Sequence, residues 1–152
     1  MKIIIPSLIV ACFIGILIGV FGFGSSDTTP ENIEPVFMDY DGQITRVIDG
    51  DTLLIDQTKI RLSLVNSPER DERGYQEAKD FASTICPVGA NAEFVEDTWQ
   101  PVDKYGRSVG LVYCNDMLLN ELLLTNGHAE ISMYYCDRSE FGSEGWARAY
   151  GC

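Results

Sequence analysis

An α+β domain that is mainly β is what the chain predicts, on three observations. Short β-branched runs are punctuated by Asp-Gly, Asp-Gln and Asn-Asp turns, one amphipathic helical stretch follows the third run, and a cysteine-bearing tail follows the last. Gln43 to Ile48 and Thr52 to Ile55 are separated by Asp49-Gly50, and Asp56-Gln57 turns the chain into a third run, Lys59 to Val65. Asn66-Ser67-Pro68 ends that run, because proline lacks a ladder donor and biases the residue before it. Between Tyr75 and Ile85 the apolar positions Ala78, Phe81, Ala82 and Ile85 recur at helical spacing, and Cys86-Pro87 closes the helix. Ala92 to Val95 and Arg107 to Cys114 read as strands on either side of a polar loop, Glu96 to Lys104. Leu118 to Thr125 reads as a buried helix stopped at Asn126-Gly127, and Ser139 to Tyr150 as a final short helix packed through Phe141, Trp146 and Tyr150. Five strands with a helix after the third make a five-stranded Greek-key barrel of the oligonucleotide-binding (OB) type, with about three helices.

The chain organises into three parts. Residues 3 to 24 carry no charge and as a helix would span about 33 Å, so residues 1 to 24 read as a transmembrane anchor or as a cleaved signal peptide. Lys2 before the segment and Asp27, Glu31 and Glu34 after it place the domain outside the cytoplasm, membrane-anchored if the segment is kept and secreted if it is cut. Residues 25 to 41 are acidic, contain Pro30 and Pro35, and form a linker; residues 42 to 152 form the domain. The remaining cysteines, Cys86, Cys114, Cys136 and Cys152, are even in number, as expected of an exported domain with two disulfides, and three pairings are possible. The favoured pairing joins Cys86 to Cys114, a helix end to a strand end, and Cys136 to Cys152, closing the tail onto the barrel. A zinc site is disfavoured by the lack of a C-x-x-C pair and by a single histidine, His128, which reads as structural or exposed. The net charge of -12 excludes a protein that coats polyanions through a broad basic surface.

Several residues carry chemistry. Asp49 and Asp51, two apart, would project to one face of an extended chain, and with Asn66 and Ser67 they would suit a hard cation, calcium first; as Asp-Gly-Asp they also make an ordinary turn. Arg61 sits within an apolar strand and could present a two-pronged donor to phosphate oxygens or simply face solvent. Arg107 in DKYGRSVG has the same two readings. Glu69, after a proline at a strand end, is well placed for a general base.

With VIDGDTLLI, IRLSLVNSPE and DKYGR in that order, and a helix between the last two, the chain resembles the staphylococcal nuclease (thermonuclease) family over about Gln43 to Ser132. The resemblance implies an OB-type barrel that hydrolyses DNA and RNA with calcium (Ca2+), cutting at the 5′ oxygen and leaving 3′-phosphate ends. By motif position it implies that Asp51 is a calcium-binding aspartate, that Asn66 stands where a second such aspartate belongs, and that Ser67 matches a threonine whose main-chain carbonyl binds the ion. It further implies that Arg61 and Arg107 hold phosphate, that Glu69 activates water, and that Lys104 and Tyr105 flank the nucleotide. Met133 stands where the family often has a substrate-facing tyrosine, which leaves Tyr135 as the nearby stacking aromatic. The loop after Glu69 is short, with Arg70 and Arg73, so loop contacts to substrate do not carry over.

The expectation is a monomeric, extracytoplasmic, calcium-dependent nuclease acting on DNA or RNA, preferably single-stranded, with the membrane as a second partner if residues 3 to 24 are retained. The rival is the same barrel reduced to a nucleic-acid or calcium-binding module by Asn66 and the acidic surface. A disulfide-stabilised envelope protein would leave the three motifs unexplained.

Overall fold

In the computed structural model the described residues are 39 to 152; the segments expected at 1 to 24 and along most of the linker lie outside them. Among the described residues eight strands form, β1 Tyr40–Val47, β2 Thr52–Ile55, β3 Thr58–Leu62, β4 Val65–Asn66, β5 Asn91–Glu96, β6 Ser108–Cys114, β7 Met117–Leu118 and β8 Glu130–Ile131. Three α-helices accompany them, α1 Tyr75–Ile85, α2 Leu119–Thr125 and α3 Gly145–Ala149. The sheet runs β3-β2-β1-β5-β6, and a parallel pairing of β6 with β3 (Ile60 opposite Ser108, Leu62 opposite Gly110) closes five strands into the barrel. The fold class is therefore the expected one.

Apolar residues on the inward positions fill the barrel: Ile44, Leu53, Ile55, Ile60, Leu62, Phe94 and Val112 are all buried, and Leu119 and Leu123 of α2 and Ala82 of α1 belong to the same core. Alternation along β3 (Ile60 and Leu62 in, Lys59 out) is what a sheet with one wet face requires. Cys86 is bonded to Cys114 and Cys136 to Cys152, with Cα separations of 5.5 and 5.2 Å. The first bridge joins the end of α1 to the end of β6, and the second holds the C-terminus against the turn that follows β8.

Four boundaries differ from expectation for physical reasons. Tyr40 and Asp41, assigned to the linker by composition, belong to β1, where they pair with Phe94 and Glu93. The third run is not continuous to Val65: Leu64 takes a positive φ of 64°, the strand breaks at Ser63-Leu64, and β4 leaves to pair with β8. Leu118 belongs to β7 and precedes α2, so that helix starts one residue later. The tail splits at the extended Glu144 (φ -64°, ψ 149°) into a 3-10 turn, Glu140–Ser143, capped by the Ser139 hydroxyl, and α3; Gly142 lies so close to Cys136 that a Cβ would meet the Cys136 carbonyl oxygen at 1.9 Å.

The break in β3 is held by a buried amide. Asn120 of α2 accepts the Val112 N–H (3.1 Å) and donates to the carbonyls of Ser63 (2.9 Å) and Gly110 (3.3 Å). Buried polar groups persist only when satisfied in this way. One turn further, the buried Asp97 accepts from the Ser63 hydroxyl (2.7 Å) and from the Glu140 N–H (3.2 Å), which fastens the tail to the same break.

Candidate functional site

The strand break and two loops open a cleft of about 310 Å³ on one face of the barrel. Its walls include Asp51, Arg61, Asn66, Ser67, Glu69, Lys104, Tyr105, Arg107 and Tyr135. All ten residues singled out for catalysis, metal or substrate from the sequence, Asp49 among them, thus reach one cavity, although they span residues 49 to 135.

The carboxylate end is organised by the β1–β2 turn. The chain is not extended at Asp49-Gly50-Asp51 but bends, with the Asp51 N–H donating to Asp49 Oδ1 at 3.1 Å. Gly50 permits that bend to sit against α1 and the β4 exit, since a Cβ there would meet Ser67 Cβ at 2.7 Å and Ala78 Cβ at 2.8 Å. The buried Asp51 accepts the Ser67 N–H at Oδ2 (2.7 Å) and the Thr52 hydroxyl at Oδ1 (3.1 Å). Burial pushes the Asp49 carboxyl above the ordinary carboxylate range, and the Asp51 charge adds to the rise, against hydrogen bonds from the Asp51 main chain and Thr52.

Arg61 lies across this end. Its Nη1 donates to the carbonyls of Leu62 (2.8 Å) and Val65, and its Nη2 sits 3.3 Å from both Asn66 Oδ1 and Asp51 Oδ2. The strand break is what turns those carbonyls toward the guanidinium. Arg61 is therefore neither a plain surface charge nor a free fork: it is docked between the two residues expected as cation ligands.

Arg107 is held differently. It pairs through Nε with Asp103 Oδ2 at 2.6 Å and through Nη1 with the Thr52 hydroxyl at 3.0 Å, and Nη2 has no hydrogen-bond partner among the described residues. Asp103 also accepts the N–H groups of Tyr105 (2.8 Å) and Arg107 (3.0 Å), which shapes the turn before β6. Burial works against the charged form of Asp103, but the Arg107 and Tyr105 bonds outweigh it and hold its carboxyl below the ordinary range. The exposed Tyr105 ring carries Lys104 Nζ at 4.9 Å and the Arg107 guanidinium at 5.3 Å from its centre.

Glu69 is exposed at the cleft edge, and its main-chain N–H donates to Glu72 Oε2 at 2.8 Å. Sequence reasoning did not single out Asp103, Thr52 or Asn120. Asp103 four residues before Arg107 was a visible signal, and so was an asparagine inside the apolar run Leu118 to Leu124. His128 rests on Phe81, ring centres 4.5 Å apart, outside the cleft walls.

The residues present suit a hard cation in kind. Asp49, Asp51 and the Asn66 amide offer oxygen ligands, and a positive ion would offset both the burial that chiefly raises the Asp49 carboxyl and the Asp51 charge that adds to it. Among the described residues no three His, Cys, Asp or Glu side chains converge, so such an ion would complete its shell with main-chain, water or phosphate oxygens.

Fold and site together define an OB-type barrel with a carboxylate and guanidinium cleft on its open face. The family model for staphylococcal nuclease homologues matches residues 59–144, more than half of the chain, and the chain belongs to that family. Among curated relatives it is similar to a thermonuclease of Staphylococcus intermedius (32% identity over 99 residues, 60% of this chain and 59% of that protein) and a micrococcal nuclease of Shigella flexneri (30% over 83 residues, 52% and 45%). A probable staphylococcal-like nuclease of Oryza sativa subsp. japonica is 30% identical over 98 residues, 64% of this chain and 24% of the relative. The chain thus spans from about a quarter to three fifths of the length of these relatives.

Proposed function

We propose that the protein is a nuclease that hydrolyses phosphodiester bonds of DNA or RNA, preferably single-stranded, outside the cytoplasm. The observation that carries this reading is the convergence of Arg61, Arg107 and Glu69 on one cleft beside the Asp49 and Asp51 carboxylates. Family membership supports the reaction class. The two disulfides support an oxidising compartment.

Attack of water on a phosphodiester builds negative charge on the phosphoryl oxygens. Guanidinium groups directed at those oxygens stabilise that charge more than they stabilise the ground state, which is what lowers a barrier. Arg107 has an unpartnered Nη2 to offer, and Arg61 must exchange its contacts with Asp51 or Asn66 for a phosphate oxygen. Glu69, with its carboxylate open to solvent at the cleft edge, takes a proton from the attacking water. Asp49, Asp51, Asn66 and the Ser67 main chain would hold calcium, which supplies a further positive charge to the phosphoryl oxygens when bound. Asn66 in place of a carboxylate makes that site weaker, because ligand charge sets affinity in oxygen sites. Lys104 and Tyr105 flank the nucleotide, and Tyr135 offers it a stacking face.

A binding module without turnover would not need an exposed glutamate in one cleft with two arginines, so hydrolysis is the better fit. The test is incubation of the oxidised protein with single-stranded DNA or RNA, in calcium or in chelator, with end-group analysis of the products. Calcium-dependent products bearing 3′-phosphates are expected. Tight binding with no products in calcium would select the module instead.

A further inference from the structure

The turn after β8 carries an aromatic group that core packing does not explain. In the 3-10 turn Met133–Tyr135, the Tyr134 side chain is 66% exposed, while Tyr135 beside it lines the cleft. The Tyr134 ring meets Tyr135 edge-on, with centres 4.9 Å apart and planes at 89°. The Arg138 guanidinium lies 4.0 Å from the Tyr134 ring centre and donates through Nη1 to the Tyr134 carbonyl at 2.5 Å. The result is a phenol and a guanidinium plane stacked at the surface, continuous with the cleft through Tyr135.

This step is held rigidly. The Ser132 N–H donates to the Leu64 carbonyl (2.7 Å), so the turn is fastened to the strand break that shapes the cleft. Tyr135 and Arg138 continue the turn through bonds to the carbonyls of Ser132 and Tyr135, both 2.9 Å, and Cys136 is tied to Cys152. A platform ordered in advance loses little entropy when it binds.

We propose that Tyr134 and Arg138 form a stacking subsite for an unpaired base of the strand whose phosphodiester occupies the cleft, at a nucleotide flanking the one beside Tyr135. The inference rests on the reading of the cleft as a phosphodiester site. With a net charge of -12, affinity for a polyanion cannot come from a broad basic surface. Stacking on aromatic and guanidinium planes tolerates any base and does not depend on net charge, and paired bases in a duplex present no free face to such a platform. The subsite thus adds affinity for a single-stranded segment that an isolated nucleotide in the cleft does not gain.

The test is fluorescence anisotropy on the full chain carrying Glu69→Gln, in calcium, with a labelled oligothymidine of about eight nucleotides and with a labelled nucleoside 3′,5′-bisphosphate. Adding Tyr134→Ala should weaken the oligomer about 10-fold, the scale of one lost stacking contact, and the bisphosphate less than about 2-fold. Tyr134→Trp should restore or tighten oligomer binding, which separates stacking from a folding defect, and Arg138→Ala should give a smaller loss. Equal loss on both ligands, no loss on either, or failure of Tyr134→Trp to restore binding would overturn the proposal. If the Glu69→Gln chain does not take the bisphosphate at all, the cleft reading fails, and Tyr134-dependent oligomer binding would still support the subsite.

Discussion

Arg61 and Arg107 face one cleft, yet the barrel holds them in opposite ways. Arg61 is anchored by two main-chain carbonyls at the break in β3, and its other prong lies against Asp51 and Asn66. Arg107 hangs from a turn, supported by Asp103 and Thr52, with one terminal nitrogen unengaged. The difference teaches that similar motif arginines need not have similar jobs in the free protein. Arg61 closes the strand break as well as facing the cleft, whereas Arg107 is presented to it.

The comparison is most sharply tested by removing each guanidinium. Arg61→Ala and Arg107→Ala should each lower kcat by about 10²- to 10³-fold, the scale of one lost charge-stabilising donor. Only Arg61→Ala should also destabilise the fold, by about 1 to 3 kcal/mol in urea or thermal unfolding, because it removes the charged donor that the part-buried Leu62 and Val65 carbonyls share. Arg107→Ala should cost under about 1 kcal/mol, as for a partly exposed pair. Equal stability losses would break the distinction. Lysine at either position should recover little of the rate, since it lacks the planar fork.

Asn66→Asp addresses the carboxylate end. It should lower the calcium concentration needed for half-maximal cleavage severalfold, because a third carboxylate would then stand at the site. It should also strengthen the hold on Arg61. An unchanged or higher calcium requirement would contradict the account.

The smallest expected effect concerns pH and the Arg107 turn. The Asp103 carboxyl lies below its ordinary value in the folded protein. Stability from its bonds is therefore fully present above the unfolded carboxylate value of about 3.9 and is lost as pH falls through the lower folded value. Asp103→Asn should flatten that acid limb in unfolding measured below about pH 4, while the slope above it stays as in the parent.

Much of the fold was legible because alternation and turn chemistry act locally. Asp56-Gln57 and Asn115-Asp116 mark hairpins in which Asp56, Asn115 and Asp116 take positive φ, and Gly127 ends α2 at φ 71°. Apart from Tyr135, the candidate residues of the cleft were legible through three motifs in order. The geometry between them was not. Nothing local in Lys59 to Val65 signals that the strand breaks at Leu64, since the break depends on Asn120 and Asp97, which are distant in sequence. For the same reason Arg61 read as either free or solvated, while it is docked on carbonyls that only the break exposes. Tyr134 escaped notice because an exposed aromatic residue gains meaning only from its neighbours Tyr135 and Arg138.

The central claim is that this cleft hydrolyses phosphodiesters with Glu69 as the base. It is tested most directly by single-turnover cleavage of single-stranded DNA in calcium by the oxidised full chain and its Glu69→Gln variant, with binding measured in parallel. The account predicts that the variant binds the strand as the parent does and cleaves it at least about 100-fold more slowly, the scale of a lost general base. Cleavage at the parental rate by Glu69→Gln would contradict it.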